Sequence, residues 1–299
     1  MATESRTAVI AALIANALIA VGKFVAVAIT GSAAMLAEGF HSVADTGNQL
    51  FLLRGLAVSR YRPSVRYPFG RGKEVYFWSF MVAVMLFVGG AVLSFQEGLA
   101  RLRHPEEIES YTVSFVVLGL AMLFETPAFL LALRAVNERR GSRGIWEHVR
   151  ESKDTTLIVV LFEDLAALVG LTIAATALLL ARLTGQPRWD GAASVVIAFL
   201  LVSVAFMLAL ETKGLLVGEG ASRRDRAAIR AAALGVPEVA GLGRVLTMHL
   251  GPEEILVNLE VSLDSRVGGA EVLDRVEAAI REAVPEATRI FVEIDSEEG

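Results

Sequence analysis

Apolar residues come in long blocks along the first two thirds of this chain. Ala8 to Thr30 is apolar apart from Asn16 and Lys23, and Gly31-Ser32 makes a tight connection into a second block, roughly Ala33 to Ala57. Val75 to Phe95 holds no charged residue and matches the ~20 residues that cross a bilayer. Tyr111 to Leu133 is interrupted by Glu125, Thr126 and Pro127, Thr155 to Ala181 carries Glu163 and Asp164, and Ala192 to Leu210 closes the series. The pattern predicts six transmembrane helices. The first is expected to be retained, because its apolar run is long and the segment before it has one Arg offset by Glu4.

After Gly220 the period changes. Ser222 to Leu234 reads as a short amphipathic helix with Arg223, Arg224, Arg226 and Arg230 on its polar side. Val245 to Leu250 and Ile255 to Leu263 alternate in the manner of strands, and Gly251-Pro252 begins the turn between them. Val272, Val276, Ala279, Ile280 and Val284 mark a helix, and Ile290, Val292 and Ile294 mark a last strand. This predicts a small cytoplasmic α-β-β-α-β domain, helices on one sheet face, over 219–299, after a six-helix transmembrane domain over 1–218. A domain of that size gains from dimerisation.

Composition agrees with two solvents. The 299 residues are 54% hydrophobic, with a mean hydropathy of +0.55. The net charge of −5 divides into +2 before Glu219 and −7 from there on. An acidic aqueous part argues against nucleic-acid binding. The absence of cysteine removes disulfides and thiolate metal sites. Loop charge sets orientation. Arg54, Arg60, Arg62, Arg66, Arg71 and Lys73 lie between helices two and three. Arg134, Arg139, Arg140, Arg143, Arg150 and Lys153 lie between four and five. The opposite loops hold none, then Arg101 and Arg103, then Arg182 and Arg188. The positive-inside rule then places both termini in the cytoplasm.

The candidate chemistry lies in helix two, at E-G-F-H-S-V-A-D-T-G-N-Q from Glu38 to Gln49. His41 and Asp45 are four apart and share a helix face. An imidazole and a carboxylate one turn apart make half of a tetrahedral metal site, and ionisable groups inside a membrane mark pathways. One imidazole with carboxylates suits Zn²⁺, Mn²⁺, Fe²⁺ or Co²⁺ better than Cu⁺. These ligands bind deprotonated, so metal loading releases protons and protonation releases metal, with His41 the group nearest neutrality. Glu38, one turn before His41, either orients it or attracts cations. Asn16 either lines the path or bonds a neighbouring helix, and Lys23 either lines the path or snorkels. Glu125 is a proton relay or a helix–helix bond, and Asn48 and Gln49 are expected to join helices. His249, Glu293 and Asp295 of the tail are expected on a solvated edge, and His104 and His148 on the surface.

Six helices, both ends inside, a ferredoxin-like tail and the A-E-G-F-H-S-V-A-D run resemble the cation diffusion facilitator family of metal/proton antiporters. Gly31-Ser32 and the Tyr67 to Lys73 run, Y-P-F-G-R-G-K, carry the resemblance further. It implies a homodimer in the cytoplasmic membrane and no enzyme activity or cofactor. Each protomer would export a divalent ion, Zn²⁺ first, held between helices two and five, by alternating access in exchange for protons. The family pattern in helix five is H/D-x-x-x-D, and here it reads Val160-Leu161-Phe162-Glu163-Asp164. Val160 stands where the first ligand is usual, which resembles a branch that includes a mitochondrial zinc exporter. The implied site is His41, Asp45 and Asp164, with water or a neighbouring side chain as fourth ligand. Glu163 is the nearest such side chain, although adjacent residues lie ~100° apart on a helix. The rivals are a non-transporting scaffold or metal sensor and a membrane-embedded metallohydrolase. The latter lacks an H-E-x-x-H helix and a nucleophile partnered by a second buried His.

Overall fold

The computed structural model describes residues 17–140, 144, 155–264 and 269–294. Asn16, His148 and Asp295 lie outside the described residues. The first helix, α1, is described over Ala17–Thr30. It is followed by α2 (Ala33–Ser59), α3 (Glu74–Arg103), α4 (Tyr111–Arg140), α5 (Thr155–Thr184) and α6 (Arg188–Val217). Within the described residues, α3 to α6 are each long and apolar enough to span a membrane. The second helix is long enough but carries Glu38, Asp45 and Arg54.

The helices outrun the apolar blocks that predict them. The third runs to Arg103 rather than Phe95, and the sixth covers Arg188–Val217 rather than Ala192 to Leu210. Hydropathy reports the bilayer, whereas the helix continues through Arg, Glu and Lys, which are good helix formers, until a stop. Such a stop follows α1: Gly31 takes φ of 65°, a left-handed turn that sends the chain straight into α2. Within α3 the Leu86–Val92 segment widens into a π-helical turn, a feature the apolar pattern does not encode.

The burial pattern is that of a protein in lipid. Met35, Leu86, Leu118, Leu171, Ile197 and Leu201 form the inner core. Leu18, Val21, Leu123, Phe124, Phe199 and Phe206 face outward. Buried with the core are Lys23, Glu38, His41, Asn48, Glu125 and Glu163. Charges inside and large apolar side chains outside make sense only where the outer solvent is hydrocarbon.

The chain divides into two compact units, 1–55 with 78–212 and 56–77 with 213–299. The second unit takes in the α2–α3 connection, where the Arg71 guanidinium stacks over the Tyr67 ring at 4.2 Å. Its tail is α7 (Arg223–Leu234), β1 (Val239–Gly251), β2 (Glu254–Leu263), α8 (Gly269–Ala283) and β3 (Arg289–Ile294), the predicted α-β-β-α-β order. Ser222 caps α7, its hydroxyl accepting from the Asp225 N–H at 3.1 Å. Strands β1 and β2 pair antiparallel and β2 and β3 parallel, in the order β1-β2-β3. Ile255, Val257, Leu259 and Val261 are buried with Ile229, Val272, Val276 and Ile280. Ile294 ends β3 and is exposed.

Candidate metal site in the membrane helices

His41 and Asp45 sit on successive turns of α2, as their spacing requires, with His41 Nδ1 3.5 Å from Asp45 Oδ1. That is a charge contact without hydrogen-bond geometry. Both ring nitrogens of His41, Oδ1 of Asp45 and Oδ2 of Asp164 are buried and have no hydrogen-bond partner. Polar atoms deprived of both water and partner are costly, and natural structures keep few of them without a ligand to satisfy. The atoms left unsatisfied here are one imidazole and two carboxylates, a donor set for a divalent ion.

Two contacts bring α2 against α5. The Asn48 side-chain amide donates to Glu163 Oε1. Glu38 lies against Gly170, where an added Cβ would displace the Glu38 carboxylate. On α2 the ligand candidates His41 and Asp45 fall between Glu38 and Asn48. On α5 Asp164 falls between Glu163 and Gly170. The contacts thus bracket the candidate ligands on both helices. Among the described residues, no three His, Asp or Glu side chains are closed into a metal cage. Asp164 lies beside Asp45, within electrostatic range, and does not complete a triad with the His41–Asp45 pair.

The other polar residues find definite places. Glu163 is the carboxylate that Asn48 holds, so its contact is with a neighbouring helix, and Asn48 joins helices as expected. Glu125 of α4 lies within electrostatic range of Asp45 and Asp164. Glu38 has no contact with His41 among its hydrogen bonds and ion pairs; Lys23 occupies it instead, at 3.1 Å. Lys23 itself corrects an expectation. It does not snorkel but is fully buried, because Glu38 Oε2 and the Ser42 hydroxyl offer it closer partners than the interface does. Sequence spacing carries a signal for this, since Glu38 and Ser42 share a face of α2, but not for which α1 residue meets them.

Asp190, at the start of α6, was not among the sequence candidates. It accepts from the Ser32 hydroxyl at 2.6 Å and from the Ala33 and Ala34 N–H groups. A carboxylate there satisfies orphan donors of the first turn of α2 and meets its positive dipole end. An acidic residue just before an apolar run was the available hint. In the tail, His249 is buried on β1 rather than solvated, its backbone N–H donating to the Glu219 carbonyl at 2.9 Å. It lies opposite Ile255, whereas Glu293 is exposed on β3 opposite Glu260. The strand between them keeps the two apart. His104 is exposed, as expected.

Comparison with known proteins bears on the same two parts. The cation efflux transmembrane domain matches residues 9–217, and the cytoplasmic domain of cation efflux proteins matches residues 221–297. The chain belongs to the cation efflux family. It is 33% identical over 272 residues to the mitochondrial proton-coupled zinc antiporter of Homo sapiens, an alignment covering 89% of this chain and 47% of that one. It is 34% identical over 224 residues to metal tolerance protein C4 of Arabidopsis thaliana, covering 74% of this chain and 49% of that one. The manganese efflux system protein of Bacillus subtilis is 22% identical over 266 residues, covering 87% of this chain and 84% of its own. This chain spans about half the length of the zinc antiporters it matches. As a member of the cation efflux family it is a multi-pass membrane protein with a small α+β domain after its last membrane helix.

Proposed function

We propose that this protein exports a divalent transition metal, Zn²⁺ first and Mn²⁺, Fe²⁺ or Co²⁺ as alternatives, in exchange for protons. In this reading His41 and Asp45 of α2 and Asp164 of α5 bind the ion. The observation that carries it is the set of orphaned ligand atoms on these three side chains, buried between helices held together at Asn48–Glu163 and Glu38–Gly170. Closing Asp164 onto the His41–Asp45 pair is the step that the ion itself would drive, because two carboxylates brought together repel until a cation sits between them.

Exchange follows from the ligands. Each is a base when it holds metal and has a proton to take when it does not, so ion and proton compete for the same atoms. Alternating access then carries the metal out and protons in. The relatives support metal as cargo: one is a zinc antiporter coupled to protons and another a manganese efflux protein. Loop charge supports cytoplasmic termini, and we place the protein in the cytoplasmic membrane, with residues 1–218 as the transport part and 219–299 as the cytoplasmic part.

A homodimer is supported by the outer face of the tail sheet. Leu246 and Phe291 flank Asn258 in adjacent register positions across the three strands, and both are exposed. Two exposed apolar side chains on the sheet face are a surface that a second copy would cover. The test is flux in proteoliposomes holding a pH-sensitive dye, challenged in turn with Zn²⁺ and Mn²⁺. Metal-driven proton movement that is abolished by Asp45→Ala and by Asp164→Ala, with dimer and helix content retained, is the expected result. Metal binding without flux in the wild type would leave a sensor or scaffold in its place.

A further inference from the structure

A positive charge is already built into the site. The Lys23 ammonium of α1 is fully buried and donates to Glu38 Oε2 at 3.1 Å and to the Ser42 hydroxyl at 2.7 Å. Glu38 and Ser42 lie one turn apart on α2, on either side of His41. Oε1, the second oxygen of Glu38, is buried without a hydrogen-bond partner and points at the bare backbone of Gly170 on α5. Glu38 is therefore a carboxylate with a spare oxygen, in the same helix crossing as the ion ligands, claimed by a resident cation. The reach of Lys23 extends to Asp45 on α2 and to Glu125 on α4.

We propose that Lys23 is an internal counter-ion that keeps Glu38 from joining the metal ligands and so sets an ion affinity low enough for release. This rests on the reading of His41, Asp45 and Asp164 as the ion site. Glu38, Asp45, Glu125, Glu163 and Asp164 together form a carboxylate field that would hold a divalent ion hard in a low-dielectric interior. A transporter gains nothing from such a grip, because the ion must leave on the other side. A covalently tethered cation reduces that field without being carried away. It also makes a buried ion pair that fastens α1 to α2 directly behind the ligand turn.

The experiment measures Zn²⁺ and Mn²⁺ affinity and transport on the full-length protein in nanodiscs and proteoliposomes. Its variants are Lys23→Met, Glu38→Gln and the double Lys23→Met/Glu38→Gln. The expected effects on affinity have opposite signs, because a charge product rather than a packing contact is being changed. Lys23→Met should bind metal about tenfold tighter or more, with KM and kcat both falling as release slows. Glu38→Gln leaves the lysine uncompensated and should bind about tenfold weaker. The double variant restores the net charge and should return toward wild-type affinity.

A packing strut would shift both single variants the same way, or shift only their melting temperatures. Either result overturns the proposal. If Lys23→Met alone does not fold, the comparison of Glu38→Gln with the double variant decides: tighter binding in the double upholds the counter-ion, and equal or weaker binding rejects it. Failure of the underlying site reading looks different. In that case Asp45→Ala leaves wild-type metal affinity unchanged, whatever the Lys23 variants do.

Discussion

Val160 and Glu163 decide between two ways of completing the ion's coordination. Val160 lies one turn before Asp164 on α5 and packs against an apolar cluster that includes Ala132 and Val136 of α4, so an apolar side chain occupies the position of a possible nitrogen ligand. Glu163 is engaged by the Asn48 amide. Both facts favour water as the fourth ligand, in a first shell richer in oxygen and hence kinder to Mn²⁺ than a two-His site. Val160→His should therefore restore an i, i+4 pair with Asp164 and tighten Zn²⁺ binding by about tenfold, ~1.4 kcal/mol, with less effect on Mn²⁺. Glu163→Gln keeps an acceptor for Asn48 and should change Zn²⁺ affinity little. Titration of both variants with both ions checks this; a large loss in Glu163→Gln would make Glu163 a ligand. The pairing of His41 with Asp45 needed only their spacing to be foreseen. That Glu163 would bond Asn48 depended on the rotation of α5 against α2, which no local pattern records.

Helix α2 is the element on which the site depends, and its start is set from outside itself. Asp190 of α6 holds the Ser32 hydroxyl and the first N–H groups of α2, and Gly31 supplies the turn before them. His41 lies little more than two turns further along. Asp190→Ala should remove this cap at a cost of about 0.5–2 kcal/mol, as for other caps, and loosen the register of the ligand turn. The expected outcome is a lower melting temperature in detergent together with weaker Zn²⁺ binding, and Asp190→Asn should recover part of both. Unchanged binding in a protein of lowered stability would separate the cap from the site. Element existence was legible throughout, since blocks of apolar residues and strand alternation are local signals. Element ends were not, because helices such as α3 and α6 pass beyond the bilayer on polar helix formers, and the π-helical turn at Leu86–Val92 answers to packing.

At the scale of the molecule, membrane and aqueous parts each carry their own core. The proposed ion ligands lie wholly in the first, while the tail presents the Leu246 and Phe291 face. Leu246→Glu with Phe291→Glu should weaken the full-length dimer while leaving Zn²⁺ binding at the membrane site intact, because like charges would then face each other across a two-fold axis. Mass determination in detergent alongside metal titration tests this. A dimer unaffected by both substitutions would place the tail interface elsewhere. Burial of His249 also bears on the tail, since β2 separates it from Glu293 and keeps those two residues from forming a pair.

The sequence by itself determined six membrane helices, an α-β-β-α-β tail, the His41–Asp45 pair and the family to which the chain belongs. The helices, the tail order and the His41–Asp45 pair rest on periods of a few residues or on charge summed over loops, and the family rests on short motifs such as A-E-G-F-H-S-V-A-D; all are properties of the chain before it folds. Only the tertiary structure decided which carboxylate meets which partner. Lys23 takes Glu38, Asn48 takes Glu163, Asp190 caps α2, and Asp164 is left without a hydrogen-bond partner for one of its oxygens. Five carboxylates in an apolar bundle are alike in sequence. Helix rotation and close approaches such as Glu38 on Gly170 tell them apart, and those are fixed by packing between different helices.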